Sequence, residues 1–261
     1  PDRSMCGSDF TNDTFTYAGC KHHGTSRHPC HIIYNVEKTG AMRRILIHIE
    51  GMKIGHGKKV LYENIAFDIH GGDCIMLCGA SGKTTLLKAI ADLQGTETRI
   101  TMIPSRIPKV KGFSVKDFIK VSCFKQTDMA GKLSEHDATT LEKALDRLGI
   151  AHLKDRDIST LSDGEFQKAC IAASLVQHAG VILLDEPTAF LDAENKISVL
   201  QALRGLCKEK DSPAVIFSTH DLHEGLNACN RVIALGADGV FRITGMAGAE
   251  EAVQGIFRKG N

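Results

Sequence analysis

Long hydrophobic runs, an excess of one charge and regularly spaced cysteines are all missing from this 261-residue sequence. No apolar run approaches the roughly 20 residues that cross a bilayer, so the chain would reach a membrane only through a partner. The 32 basic and 31 acidic residues give a net charge of +1, which provides no attraction to nucleic acid or to an anionic membrane surface. The nine cysteines are irregularly spaced, which indicates a reducing, cytosolic compartment rather than a disulfide framework.

The first 42 residues lack both hydrophobic periodicity and the apolar segment of a signal peptide. They are polar and rich in His, Gly, Ser and Thr, which predicts a disordered leader or translated upstream sequence, with Met42 as an alternative start. Residues 43–245 have the pattern of a globular domain. Residues 246–261 are assigned to a C-terminal tail.

Strands and helices alternate through the globular part. Short apolar runs that predict strands occur at residues 45–49, 60–70 (one strand or two), 74–78, 181–184, 214–217 and 231–235. Helical patterns cover residues 84–93, 113–178 and 195–207, and a helical subdomain is predicted at about 113–170. This alternation predicts an α/β fold with a mostly parallel sheet covered by helices on both faces.

Residues 79–85 (Gly-Ala-Ser-Gly-Lys-Thr-Thr) lie between a predicted strand and a predicted helix, the setting of a phosphate-binding loop. In such loops, glycines let backbone N–H groups turn towards the phosphates, the lysine reaches the terminal phosphates and the next hydroxyl holds Mg²⁺. The match is incomplete, because Leu77 stands where the strict pattern has a glycine. Gly-Lys-Thr is also common by chance, so the segment needs support from other motifs.

Asp185 and Glu186 come directly after the apolar run at residues 181–184. Carboxylates that follow a buried parallel strand lie at the edge of the sheet where ligands bind in α/β folds. Asp185 is predicted to hold Mg²⁺, and Glu186 to orient or deprotonate a water molecule. The alternative is a strand that simply ends in a charged surface turn.

Residues 161–165 (Leu-Ser-Asp-Gly-Glu) have the pattern of a helix N-terminus. Ser162 or Asp163 would cap the helix, and Glu165 would lie in its first turn. A helix N-terminus is also an anion-binding position. Capping and phosphate binding are therefore compatible roles for this segment.

Together these segments resemble the motifs of the ABC ATPases. Residues 161–165 resemble the signature sequence of that family, residues 187–192 its D-loop and residues 219–221 its switch histidine, in the family's order and spacing. The resemblance covers roughly residues 44–240. It implies a P-loop NTPase fold of the ABC type, with a helical subdomain and a reduced antiparallel β-subdomain. Compared with the ABC form of the phosphate loop, the segment before Lys83 is two residues short and lacks two potential N–H donors.

The resemblance also implies a head-to-tail homodimer with two composite sites, in which residues of both copies enclose ATP. The residues expected to bind ATP are His56, Gly79, Ala80, Ser81, Gly82, Lys83, Thr84, Thr85, Ser162, Gly164 and Asp192. Thr84 and Asp185 would hold Mg²⁺. Glu186 and His220 would act in hydrolysis.

Two positions depart from the family pattern. His56 stands where an aromatic residue stacks on adenine, and an imidazole provides a smaller stacking surface. Ser105 stands where a glutamine contacts the metal ion and couples the ATP site to the membrane subunits, and its role as a ligand is in doubt. The nearby cations Arg106, Lys109 and Lys111 are interpreted as solvated charges, with contacts to a partner as the alternative.

The function implied by the resemblance is that of an ATP-hydrolysing subunit that powers an ABC transporter. Its partners would be membrane-spanning permease subunits and a second ATPase copy, with no nucleic acid, at the inner face of the cell membrane. The signature is most similar to those of importers of iron chelates, haem or cobalamin. A regulatory nucleotide-binding module with little turnover is the main alternative, and an ABC ATPase of repair or translation is another.

Overall fold

The computed structural model describes residues 34–36, 42–57, 59–93, 96–123, 134–208, 212–237 and 239–256. Contacts divide the chain after Arg44 into two units. In the first unit, β1 (Tyr34–Val36) pairs antiparallel with Met42–Arg44, at the start of β2. The rest of the predicted leader lies outside the described residues.

The remaining elements follow the predicted alternation of strands and helices. The further strands are β2 (Met42–His56), β3 (Lys59–His70), β4 (Cys74–Gly79), β5 (Ile100–Ile103), β6 (Val181–Leu184), β7 (Ala214–Ser218), β8 (Arg231–Leu235) and β9 (Phe241–Gly245). The helices are α1 (Lys83–Ala91), α2 (Val115–Ser122), α3 (Glu135–Arg147), α4 (Asp163–Val176), α5 (Ala193–Leu206), α6 (Leu222–Ala228) and α7 (Ala249–Gly255). Among the helices of the described residues, none has the length and apolar character needed to cross a membrane.

A six-stranded sheet in the order β5-β6-β7-β4-β8-β9 forms the centre of the second unit. Its first five strands are parallel, and β9 runs antiparallel to β8. The predicted α/β class is therefore confirmed, while β9 was not predicted. Because β6, β7 and β4 are adjacent and parallel, the residues that follow them meet at one edge of the sheet. The loop after Gly79, the acids after Leu184 and the segment after Ser218 lie at this edge.

Both faces of the sheet are buried. Along β4, Ile75 and Leu77 join a core with α1 and with the antiparallel pair β2–β3, whereas Met76 and Cys78 face the core formed with α2 to α7. The residues from 60 to 70 form one strand, β3, paired with β2. The β2–β3 pair and α1 cover the same face of the six-stranded sheet.

The helical segment and the C-terminal residues also pack into the core. Leu141, Ala144, Leu145 and Leu148 are all buried, as their helical spacing predicts. Within residues 246–256, α7 packs against β8 and β9, and Ala249, Ala252 and the capping residue Ile256 are buried.

Asp73 connects strands at the opposite, amino edge of the sheet. Its fully buried carboxylate accepts hydrogen bonds from the guanidinium of Arg231, at 2.6 Å, and from the backbone N–H of His70, at 2.8 Å. These bonds join the end of β3, the start of β4 and the start of β8. A buried charge with its partner removed is strongly destabilising, so this edge is expected to be important for stability.

We expect Asp73→Ala to lower the free energy of unfolding by about 3 kcal/mol, because Arg231 would lose the carboxylate that compensates its partly buried charge. Urea denaturation followed by circular dichroism measures this change. Asp155→Ala is the matched control, since Asp155 is exposed and its substitution should change stability by less than about 0.5 kcal/mol. Equal effects of the two substitutions would contradict this role of Asp73.

Candidate functional site

The loop between β4 and α1 depends on glycine at two positions. Gly79 has a φ of +146°, and a Cβ there would lie 2.5 Å from the carbonyl oxygen of Leu235. Gly82 has a φ of +88° and begins α1 without a side-chain cap. L residues other than glycine rarely adopt these conformations. The loop therefore ends at a helix N-terminus whose N–H groups point towards the carboxyl edge of the sheet.

Lys83 places its ammonium group where the loop meets the ends of two strands. Its Nζ donates to the carbonyl oxygen of Gly79 at 3.2 Å, and lies 3.1 Å from Nε2 of His220 and 3.9 Å from Oε1 of Glu186. The side chain is only 8% exposed. Its charge is therefore screened little by solvent and acts directly on these groups.

The carboxylate of Asp185 connects α1 to β7. It accepts hydrogen bonds from the hydroxyl of Thr84, at 2.9 and 3.1 Å, and from the hydroxyl of Ser218, at 2.9 Å. Ser218 also accepts a hydrogen bond from the backbone N–H of Glu186 at 2.8 Å. Ser218 was not predicted as a site residue. The only signal for it in the sequence is a hydroxyl at the end of the apolar run 214–217.

Glu186 has a left-handed backbone conformation, with a φ of +50°. Such conformations are uncommon for residues other than glycine, and they persist where the surroundings hold them, often at functional sites. Oε1 of Glu186 lies 2.8 Å from Nε2 of His220. The same nitrogen is 3.1 Å from Lys83, but a ring nitrogen that donates to Glu186 has no lone pair left for an ammonium group. The two contacts of His220 therefore compete.

A cavity of about 440 Å³ lies between the end of the β2–β3 pair and α1. Its lining residues are Gly55, His56, Gly82, Lys83, Thr84, Thr85, Lys88 and Glu186. Nε2 of His56 is 3.0 Å from the hydroxyl of Thr85, which brings this histidine to the phosphate loop. Its stacking on adenine stays a prediction. A second cavity of about 680 Å³ is lined by residues on the other side of Glu186, including Thr188, Lys196 and His220.

Ser162 and Gly164 belong to the start of α4 and pack towards α5. Ser162 forms a capping box: its hydroxyl accepts from the backbone N–H of Glu165 at 3.2 Å, and Glu165 accepts from the N–H of Ser162 at 2.8 Å. The latter bond lowers the pKa of the Glu165 carboxyl. The Ser162 hydroxyl accepts in this cap and also donates towards the Glu165 carboxyl, which lowers the pKa of that carboxyl further. A Cβ on Gly164 would lie 2.7 Å from Oδ1 of Asn195.

Asp192 and Ser105 have different surroundings from the phosphate loop. Asp192 caps α5 by accepting from the backbone N–H and the side-chain amide of Asn195, at 2.8 and 2.9 Å. The backbone bond lowers the pKa of the Asp192 carboxyl. Ser105 is exposed after β5, and its neighbour Arg106 lies over the ring of Phe190. The ATP and metal contacts of Asp192 and Ser105 stay predictions.

Comparison with known proteins identifies the family. The family model described as ABC transporter matches residues 62–189. The aliphatic sulfonates import ATP-binding protein SsuB 2 of Paracoccus denitrificans is 31% identical, over 72% of this chain and 77% of the relative. The iron(3+)-hydroxamate import ATP-binding protein FhuC of Bacillus subtilis is 27% identical, over 71% and 77% of the two chains. A solved inward-facing transporter described as of the metal-chelate type aligns with a TM-score of 0.70 and 25% identity, over 80% and 88%.

A parallel sheet flanked by helices, with a glycine loop, a lysine and two carboxylates at its carboxyl edge, is the arrangement of a nucleotide-hydrolysing protein. The chain belongs to the family of ABC transporter ATP-binding proteins, which hydrolyse ATP. The resemblance drawn from residues 161–221 is confirmed.

We expect Ser218→Ala to lower the turnover of ATP about tenfold, since both Asp185 and the backbone of Glu186 would lose a hydrogen bond that positions them. Steady-state release of phosphate measures this change. Ser174→Ala is the matched control, because Ser174 is also buried but donates to a carbonyl oxygen within α4, at 3.3 Å. A Ser218→Ala enzyme as active as the Ser174→Ala enzyme would contradict the positioning role.

Proposed function

We propose that this chain powers an importer by hydrolysing Mg²⁺-bound ATP between two copies of itself, alongside membrane-spanning permease subunits at the inner face of the cell membrane. The observation that carries this proposal is the position of Glu186, which lies 2.8 Å from His220 and borders both cavities. A carboxylate held in this way can take a proton from water beside a bound phosphate.

The phosphates of ATP would enter the cavity of about 440 Å³, between Lys83 and the N-terminus of α1. Lys83 would exchange its contact with His220 for phosphate oxygens. Nε2 of His220 would then contact only Glu186 of the two. The helix N-terminus contributes N–H donors and a positive dipole end. His56 borders the same cavity through Thr85, a position from which it would contact the nucleotide.

The residues proposed to hold Mg²⁺ are Thr84 and Asp185. Their oxygen atoms are 2.9 Å apart, and hard oxygen donors of this kind suit Mg²⁺. The ion would neutralise charge on the phosphates when bound. Ser105 is exposed after β5. It is proposed as a metal ligand solely because it occupies the sequence position of the family's glutamine.

Hydrolysis would use Glu186 as the base or the orienting group for water. His220 would keep the carboxylate in place by donating from Nε2, and would contact the terminal phosphate. Ser218 fixes the backbone of Glu186 at 2.8 Å, so the carboxylate starts from a defined position. Positioning of this kind is the main contribution that proteins make to phosphoryl transfer.

The second copy would contribute Ser162 and Gly164. Both lie at the start of α4, where the hydroxyl of Ser162 would exchange its contact with Glu165 for a phosphate oxygen of the ATP bound by the other copy. Asp192, the N-cap of α5, accepts a hydrogen bond from the side chain of Asn195. That side chain packs beside Gly164, so Asp192 lies near the start of α4. A head-to-tail arrangement would bring this surface to the cavities that flank Glu186.

For the transported molecule we propose an iron chelate, haem or cobalamin. The iron-hydroxamate relative and the metal-chelate structural neighbour support this class, whereas the sulfonate relative supports another. Uptake of a ferric hydroxamate and of an alkane sulfonate, measured with the cognate permease, would distinguish the two classes.

We expect Glu186→Gln to bind ATP but to hydrolyse it about a thousandfold more slowly, because an amide cannot accept the proton of water. The bound ATP should then hold two copies together, which size-exclusion chromatography with Mg²⁺ and ATP detects. Glu250→Gln is the control, since Glu250 is an exposed residue of α7. A Glu186→Gln protein that stays monomeric with bound ATP would argue against the composite site.

A regulatory module with little turnover is the second candidate, favoured by the short phosphate loop. Nζ of Lys83 donates back to the carbonyl oxygen of Gly79 at 3.2 Å, so the lysine satisfies the loop's own backbone. A loop of this length also offers fewer N–H donors to the phosphates. Both features would weaken the binding of ATP without removing the hydrolytic residues.

We expect insertion of Ser-Gly after Gly82 to tighten ATP binding about tenfold, because two further N–H groups could donate to charged oxygens. Isothermal titration with ATP measures the change. The same insertion in a Lys83→Ala chain is the control and should gain much less. If the insertion leaves the affinity unchanged, the short loop is sufficient, and the regulatory candidate loses its support.

A further inference from the structure

Residues 104–112 connect β5 to α2 and are named the strap here. Near its middle, Lys109 donates from Nζ to the carbonyl oxygen of Leu161 at 2.7 Å and to Oδ1 of Asp163 at 2.6 Å. The Lys109 side chain is 23% exposed and passes over the ring of Phe166, 5.6 Å from its centroid. Lys109 was interpreted as a solvated charge, and the structure contradicts this interpretation.

The two acceptors of Lys109 lie on either side of Ser162. Leu161 precedes the capping residue and Asp163 follows it, so one ammonium group holds the chain on both sides of the cap. A cation beside a helix N-terminus is unfavourable to the helix dipole. Helix stability alone therefore does not explain a lysine at this position. Because the Lys109 charge is paired with Asp163, its effect on α4 comes through the two bonds that hold the chain around Ser162.

The other end of the strap contacts the loop that follows Glu186. Cζ of Arg106 lies 4.3 Å from the centroid of the Phe190 ring, and Phe190 is 55% exposed. Cation–π contacts of this kind are attractive at partly solvated sites. The strap thus connects the loop after the hydrolytic glutamate to the start of α4 within one chain.

The end of the strap near α2 is joined to the segment that leads into α4. The backbone N–H of Gly112 donates to Asp157 at 2.7 Å, and the carbonyl oxygen of Phe113 accepts from the N–H of Ile158 at 2.9 Å. These bonds keep the strap beside residues 157–161. Removal of Lys109 should therefore change the position of the α4 cap without releasing the strap.

We propose that Lys109 is a positioning residue that sets Ser162 and Gly164 of its own chain for the ATP bound by the second copy. The strap then links the loop after Glu186 to the partner-facing start of α4. This inference rests on the proposed function, because it needs a head-to-tail dimer that hydrolyses ATP.

The test uses Lys109→Met in the full chain, since methionine keeps most of the length and the packing on Phe166 but cannot donate. We expect the dissociation constant of ATP for the monomer to be unchanged and kcat to fall about tenfold. Lys109→Arg should be closer to wild type than Lys109→Met. Lys111→Met is the matched control on an exposed neighbour and should have wild-type activity.

Mixing variants shows which site Lys109 serves. Lys109→Met has an intact phosphate loop, and Lys83→Ala has an intact start of α4, so their mixed dimer contains one complete composite site. We expect the mixture to hydrolyse more ATP than either variant alone. A mixture without this gain would overturn the inference, because Lys109 would then serve the phosphate loop of its own chain.

The outcomes also separate the inference from the proposed function. The proposed function fails if the wild type does not hydrolyse ATP and the Glu186→Gln variant does not dimerise with ATP. If the wild type is active and Lys109→Met has the same kcat, only the role of Lys109 is overturned.

Discussion

The rest of the site depends on the hydrogen bonds that the carboxylate of Asp185 accepts. It accepts hydrogen bonds from Thr84 at the start of α1 and from Ser218 at the end of β7, and so joins elements that are far apart in the chain. The parallel order β6-β7-β4 brings these groups within reach, because all three strands end at one edge. Through Ser218 the same network fixes the backbone of Glu186. The groups proposed to act in hydrolysis thus take their positions from the ends of adjacent strands.

The two edges of the sheet have different roles. At the amino edge, the buried carboxylate of Asp73 pairs with the partly buried guanidinium of Arg231 and joins strand ends, so removal of either partner would be destabilising. At the carboxyl edge, Glu186 has a left-handed backbone and His220 lies between an ammonium and a carboxylate. Such local strain persists only when the surrounding structure holds it in place. The buried core and the hydrogen-bonded amino edge hold the fold in which the carboxyl edge keeps this unfavourable local geometry.

Periodicity and motif order in the sequence were enough to predict the α/β class, most strands, and the meeting of Thr84 with Asp185. The role of Ser218 could not be predicted, because it depends on the register between β6 and β7. Lys109 was missed for a similar reason: its acceptors lie more than fifty residues further along the chain. A lysine in a polar segment has no periodic pattern that distinguishes a solvated charge from a buried contact. Long-range pairing of single side chains is therefore the part of the site that sequence patterns leave open.

The departures from the family pattern affect binding more directly than chemistry. The short loop would offer fewer N–H donors to phosphates, but Lys83, at the start of α1, still reaches Glu186 and His220. Ser105, which replaces the family's glutamine, follows β5 at the edge of the sheet. The hydrogen bonds of Asp185 do not involve this position. Under the proposed function, the sheet edge positions Glu186 and the loops contact ATP, so loss of loop residues should weaken affinity before it lowers the rate of the bound complex. Occupancy of the site, rather than the chemical step, would then limit how fast this subunit works.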